Sequence, residues 1–226
     1  MVRNRYCLPM HKERYLTHEN LRNKRENWLE KLRGLRGVRD LNRACPLENS
    51  ALLVIDMQAY FTNPVSHAFV PSTDVVIYNI NKLVKCFNRK PVIYTKHIDE
   101  PNTNMIRWWN TGLYAETDFS SIESGVKVSG EILVKHTYSA FHGTNLHENL
   151  QHSHIENLYI AGVLTNLCCE TTARDAFLRN YNVFFVADAT ATYREDMHIA
   201  TLLNLAHGFA RIVFTGDIVE GCENGL

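Results

Sequence analysis

Two cysteines stand side by side in GVLTNLCCETTARDAF, residues 162–177, where an apolar run hands over to a helical pattern. A carboxylate, Asp56, closes the earlier apolar run ALLVID, and a lysine, Lys135, closes EILVK. Asp, Lys and Cys are together the parts of acyl transfer by a thiol. The carboxylate can take the thiol proton, the ammonium can stabilise a thiolate and orient the carboxylate, and a helix start favours negative sulfur. Backbone N–H groups at the same helix start can hold the oxyanion of a tetrahedral intermediate. Each residue also has a plainer reading: Asp56 as a strand-ending cap, Lys135 as a solvated lysine, Cys168 as a small buried hydrophobe. Helical phase separates the two cysteines. Cys169, Ala173, Ala176 and Phe177 share one apolar face, whereas Cys168 shares its side with Thr172 and Asp175. The phase gives Cys169 to the core and leaves Cys168 free, with a thiol pKa expected to be depressed if Asp56 and Lys135 lie beside it.

Elements that could gather these residues follow from the apolar pattern. After Pro46 the strand-like runs ALLVID, PVIYTKH, EILVK, NLYIAGV, NVFFVAD and ARIVFT alternate with helical patterns near 74–88, 168–180 and 195–207. Strands that are apolar nearly throughout, separated by helices, predict an α/β fold with a six-stranded parallel sheet covered by helices on both faces. Such sheets bind ligands beyond the carboxyl ends of their strands. Asp56, Lys135, the Thr165–Cys169 turn and Asp188 stand at those ends. Residues 98–130 are rich in Gly, Asn, Asp and Ser with no clear period, as expected of a loop over an active site. Trp108 and Trp109 in it, with Phe61 and Tyr138, either line a pocket or pack beneath that loop.

Length and composition bound the rest. The 226 residues suit one sizeable domain, read as residues 46–226, preceded by a basic arm, 1–45, that carries a helix. The arm holds 12 Lys/Arg against 5 Asp/Glu, a net of +7, and the remainder 12 against 19, a net of −7. An arm of that charge is expected to dock on the acidic body or on a neighbouring subunit, with Trp28, Leu29 and Leu32 at helical spacing as its packing face. The interspersed acids weigh against nucleic-acid binding and against a mitochondrial transit peptide. No apolar run is long enough to cross a bilayer or serve a secretory signal, so no membrane partner and a cytoplasmic location are expected. The six cysteines (Cys7, Cys45, Cys86, Cys168, Cys169 and Cys222) are then expected as reduced thiols. His136, His142, His147, His152 and His154 lack metal-ligand spacing and read as solvated or capping residues.

Three separated stretches go further. ALLVIDMQAYF (51–61), ILVKHTYSAFHGTNL (132–146) and IAGVLTNLCCETTARDAF (160–177), with VADAT at 186–190, resemble the isochorismatase-like superfamily of cysteine hydrolases over about residues 48–215. The resemblance implies a Rossmann-like doubly wound sheet, a homo-oligomer (dimer or tetramer), and a catalytic triad of Asp56, Lys135 and Cys168. It also implies a non-proline cis peptide between Val163 and Leu164 and an oxyanion hole made by the Leu164 and Cys168 amides, with Thr165 among the substrate contacts. Nicotinamidases of this superfamily carry Asp-x-His and a further His for a metal, whereas TKHIDEP here offers only His97, which argues against a nicotinamidase and against any metal or other cofactor. True isochorismatases share YSAFH and the early YCLP, but typically lack a cysteine where Cys168 stands. TNLCCETTARDAF is closer to N-carbamoylsarcosine amidase and ureidoacrylate amidohydrolase, and the family's G-T-x-G-A-E loop is altered to GLYAE at 112–116. The expected activity is therefore hydrolysis of a C–N bond in a small amide or ureido substrate through a thioester. The alternatives are vinyl ether cleavage of the isochorismatase type, with Asp56 as general acid, and a non-catalytic binding protein of the same fold.

Overall fold

The computed structural model describes residues 11–38 and 45–223; the YCLP stretch lies outside the described residues. All six expected strands form: β1 Ser50–Ile55, β2 Val92–His97, β3 Glu131–Lys135, β4 Asn157–Val163, β5 Asn182–Ala191 and β6 Arg211–Val213. They are parallel throughout, in the order β3-β2-β1-β4-β5-β6. The chain starts mid-sheet, winds outward to β3, then returns to β4 beside β1 and winds outward the other way. The direction reverses between β1 and β4, the switch point beside which sheets of this kind bind their ligands.

Alternate strand residues feed two cores, as a parallel sheet buried on both faces requires. Leu53, Ile55, Ile93, Leu158 and Ile160 meet Trp28 and Leu32 of α1 (Leu21–Leu32), Ala173 of α6 (Glu170–Leu178) and Leu202 and Leu205 of α7 (Glu195–Gly208). Leu52, Val54, Tyr94, Tyr159 and Ala161 meet Val76, Ile80 and Leu83 of α3 (Thr73–Cys86) and Ile218 of α8 (Thr215–Glu223). Between α1 and α8 lie three short helices, α2 Ala59–Thr62, α4 Asn104–Trp109 and α5 Leu146–His152. At the carboxyl ends β1 and β4 approach closely. Gly162, paired with Ile55, has φ +120°, and a Cβ there would stand 2.1 Å from the Ile55 carbonyl oxygen. Only glycine permits both the backbone angle and the approach.

Several local expectations are corrected. The stretch 98–130 is not irregular throughout: it holds α4, whose first turn is capped by Thr103 accepting the Ile106 N–H. The Thr165–Cys169 segment is a turn of π-helix, and α6 proper starts only at Glu170. Phe177 leaves the core face, is 45% exposed, and packs edge-on against Phe209. Edge strand β3 exposes Ile132 and Val134.

The described part of the arm lies on the body. Trp28 and Leu32 are buried and Leu29 partly so. Arg14 meets Asp74 at 2.5 Å, Lys24 meets Glu195 at 2.6 Å and Arg25 meets Asp217 at 2.6 Å, in each case arm cation on body carboxylate. Among the described residues no helix is long and apolar enough to cross a membrane, and Cys45, Cys86, Cys168, Cys169 and Cys222 are free thiols.

Candidate active site

Asp56 follows β1, Lys135 ends β3 and Cys168 lies in the π-turn after β4, so the three come from strands that are not all neighbours. Lys135 must reach past β2 to Asp56, about 10 Å at two interstrand spacings; a long unbranched side chain is what such a span needs. Its Nζ ends 2.7 Å from Asp56 Oδ2 and 3.5 Å from Cys168 Sγ, and donates to the Thr137 carbonyl oxygen at 2.8 Å. Asp56 and Lys135 are fully buried and Cys168 is 5% exposed. Asp56 itself sits in the left-handed region, φ +48°, a conformation Asp tolerates better than most residues. Thr95 on β2 fixes it twice, donating from Oγ1 to Asp56 Oδ1 at 2.6 Å and accepting from Asp56 N at 3.1 Å.

The charges decide the resting state. Burial alone would lower the Lys135 pKa, but Asp56 and then Cys168 outweigh it and hold it above the ordinary lysine value. The Cys168 thiol is pushed up to about 12, first by burial, with Lys135 pulling down and the adjacent Asp56 carboxylate pushing up. This corrects the expected depression: one ammonium already serves one carboxylate, and a standing thiolate would leave the buried site with excess negative charge. Lys135 therefore rests charged, 2.7 Å from Asp56 Oδ2, beside a neutral thiol. Cys169 is wholly buried, but Cys168 and Thr172 are buried as well, so the helical phase does not separate the two cysteines as expected: they lie in the π-turn before α6.

Around the trio, Leu164 follows Val163 through a cis peptide, and its carbonyl accepts the Leu167 and Cys169 N–H groups at 3.1 and 3.2 Å. Trp109 Nε1 donates to Tyr138 Oη at 2.9 Å, tying α4 to the loop beyond β3. Burial raises the pKa values of Tyr138 and Tyr193. Phe61 is buried on α2, whereas Trp108 is 79% exposed and turns to solvent, so the two tryptophans do not act alike. Thr165, expected at the substrate, is buried and instead bonds His198 Nδ1 at 2.9 Å. Asp188 is not part of the trio: its Oδ1 accepts from Thr215 N and Oγ1 at the start of α8.

Spacing alone did not point to Thr95, Gln58 or Tyr193. Gln58 is fully buried, donates to the carbonyls of His97 and Ser120 at 3.1 and 2.9 Å, and accepts His97 N at 2.8 Å, pinning the ends of β1 and β2 together. Its position two residues after Asp56 was the available signal. His97 Nε2 bonds Asp99 Oδ1 at 3.0 Å, and Asp99 Oδ2 accepts Leu113 N at 2.8 Å. Among the described residues no group of three or more His, Cys, Asp or Glu could hold a metal ion; His97 and Asp99 form a pair.

A doubly wound sheet with a carboxylate, a lysine and a cysteine gathered at its switch point defines a class of hydrolases. The isochorismatase domain matches residues 50–217, and the chain belongs to that family of hydrolases. Nicotinamidase 3 of Arabidopsis thaliana is 40% identical over 73% of this chain and 84% of its own length. Enterobactin synthase component B of Escherichia coli is 33% identical over 76% of this chain, and the match spans only 63% of that protein. Among solved structures, a cysteine hydrolase from Pseudomonas syringae superposes with TM-score 0.77 at 25% identity, covering 81% of this chain and 97% of that one. An N-carbamoylsarcosine amidase from Thermoplasma acidophilum gives TM-score 0.66 at 29% identity, over 74% and 96% respectively.

Proposed function

We propose that the chain is a metal-independent cysteine hydrolase that cleaves the C–N bond of a small amide or ureido compound. The observation that carries this reading is the Lys135 ammonium set 2.7 Å from the Asp56 carboxylate and 3.5 Å from the Cys168 sulfur in a site closed to bulk water. Asp56 takes the thiol proton as Sγ bonds to the substrate carbonyl carbon, and the Leu164 and Cys168 amides receive the oxyanion. The proton then passes from Asp56 to the leaving nitrogen, the C–N bond breaks, and a thioester remains. Water, giving a proton to Asp56, attacks the thioester; the acid is released and the thiol regains its proton. Lys135 stays charged throughout and balances whichever of Asp56 or Sγ is negative. Phe61, Trp109, Tyr138 and Tyr193 are assigned to the wall around the substrate.

The test is ammonia release from a panel of amides and ureido acids, with nicotinamide included because one relative bears that activity in its name. Turnover that Cys168→Ala leaves intact would sink the proposal. Dialysis against a strong chelator should leave activity unchanged; loss restored by zinc or iron would refute metal independence. The similarity to enterobactin synthase component B and the high thiol pKa favour a second reading, vinyl ether cleavage with Asp56 as general acid and Cys168 a bystander. Pyruvate release from isochorismate, undiminished in Cys168→Ala, would select it.

A further inference from the structure

We propose that Tyr15, in the arm, is a positioning residue for the turn that carries Cys168. Tyr15 lies outside residues 50–217, yet it is 5% exposed and its hydroxyl accepts the backbone N–H of Thr192 at 3.1 Å. The same hydroxyl lies beside that of Thr165. Thr192 in turn donates from Oγ1 to Asn166 Oδ1 at 2.6 Å, and Thr165 Oγ1 bonds His198 Nδ1. Thr165 and Asn166 open the π-turn, so both of its first residues are held by groups that Tyr15 holds.

The neighbouring arm residues reinforce the same contact. Glu13 donates its N–H to the Tyr193 carbonyl at 2.9 Å and accepts Glu195 N on its carboxylate at 2.6 Å. The Tyr15 ring packs on Trp28 and His198, at 6.4 and 5.5 Å between centroids. Residues 13–15 therefore run along 192–195. Without the Tyr15 hydroxyl the Thr192 N–H is left buried and unpaired, and the segment must shift to satisfy it. That shift passes through Asn166 to the sulfur two residues on, where a displacement of about 1 Å can cost on the order of 10²-fold in rate. The inference rests on the reading of Cys168 as nucleophile.

Tyr15→Phe keeps the ring contacts and removes only the hydroxyl. Hydrogen exchange followed by mass spectrometry should show amides 165–170 exchanging at least about tenfold faster than in the wild type, with the β1 and β4 peptides unchanged. With an amide found active in the panel, kcat should fall by about tenfold while KM stays within twofold. Arg14→Ala, which loosens the arm at the exposed Asp74 contact, should alter neither measurement. Exchange at 165–170 identical to wild type, or acceleration spread equally over β1 and β4, would overturn the proposal. Failure of the nucleophile reading shows separately, as turnover surviving in Cys168→Ala, and the exchange measurement needs no substrate.

Discussion

In the proposed mechanism the Cys168 thiol gives up its proton only as it attacks, to the Asp56 carboxylate beside it. Burial pushes its pKa to about 12, so the folded protein holds the thiol proton more tightly than the unfolded chain, whose value is 9. Stability from this group is fully present below pH 9 and is lost as pH rises from 9 towards 12. Cys168→Ala should therefore lessen the fall of urea stability between pH 9 and 11; an unchanged fall would show the thiol to be solvated. The same substitution should lower turnover by about 10³-fold or more, because no other atom can form the acyl bond. Cys169→Ala should stay active and cost about 1 kcal/mol through a small cavity, measured by urea denaturation. Lys135→Met leaves the Asp56 charge buried without its partner and should cost about 3–5 kcal/mol; a loss of no more than about 1 kcal/mol, as for an exposed ion pair, would mean that water reaches the site.

At the scale of elements, legibility followed physics. Strands such as NLYIAGV were readable because a parallel sheet buried on both faces leaves continuous apolar runs, and β4 forms at the expected residues. A six-residue helix such as α4 shows less than two turns of any period, so only Thr103, its cap, could have announced it. The π-turn was invisible because its first two residues are held by distant parts of the chain, Asn166 by Thr192 just past β5 and Thr165 by His198 and Tyr15. The three site residues were legible as types at strand ends; that Lys135 would cross β2 to Asp56 depended on strand order, which no single run encodes. Asp188 shows the same gap, since a carboxylate at a strand end here serves a helix. Burial raises its pKa to about 6, although Thr215 donates to it twice. Its contribution is full below pH 3.8 and is lost as pH rises through about 6. Asp188→Asn, which keeps an acceptor for Thr215, should flatten the change in urea midpoint between pH 4 and 6; a slope equal to wild type would contradict the assignment.

Across the whole molecule, the arm and body are joined through a buried histidine. His198 is fully buried beneath Tyr15 and Trp28, with ring centroids 5.5 and 4.6 Å away, and its pKa is lowered to about 3, first by burial and then by Lys24. A base depressed in this way contributes stability that is present above pH 6.5 and is lost as pH falls towards 3. Its Nδ1 bonds Thr165 Oγ1, and the charged groups nearby are Lys24, paired with Glu195, and Glu13, whose carboxylate accepts Glu195 N. Acid should therefore weaken the seat of α1 on α7 and bring Trp28 into water. Trp28 is 1% exposed, whereas Trp108 is 79% and Trp109 38% exposed, so a red shift of tryptophan emission reports mainly on Trp28. Titrating from pH 6.5 to 3 should give such a shift in the wild type. His198→Gln, which has no proton to take up, should move the midpoint to lower pH. A midpoint the same in both proteins would remove His198 from the acid transition.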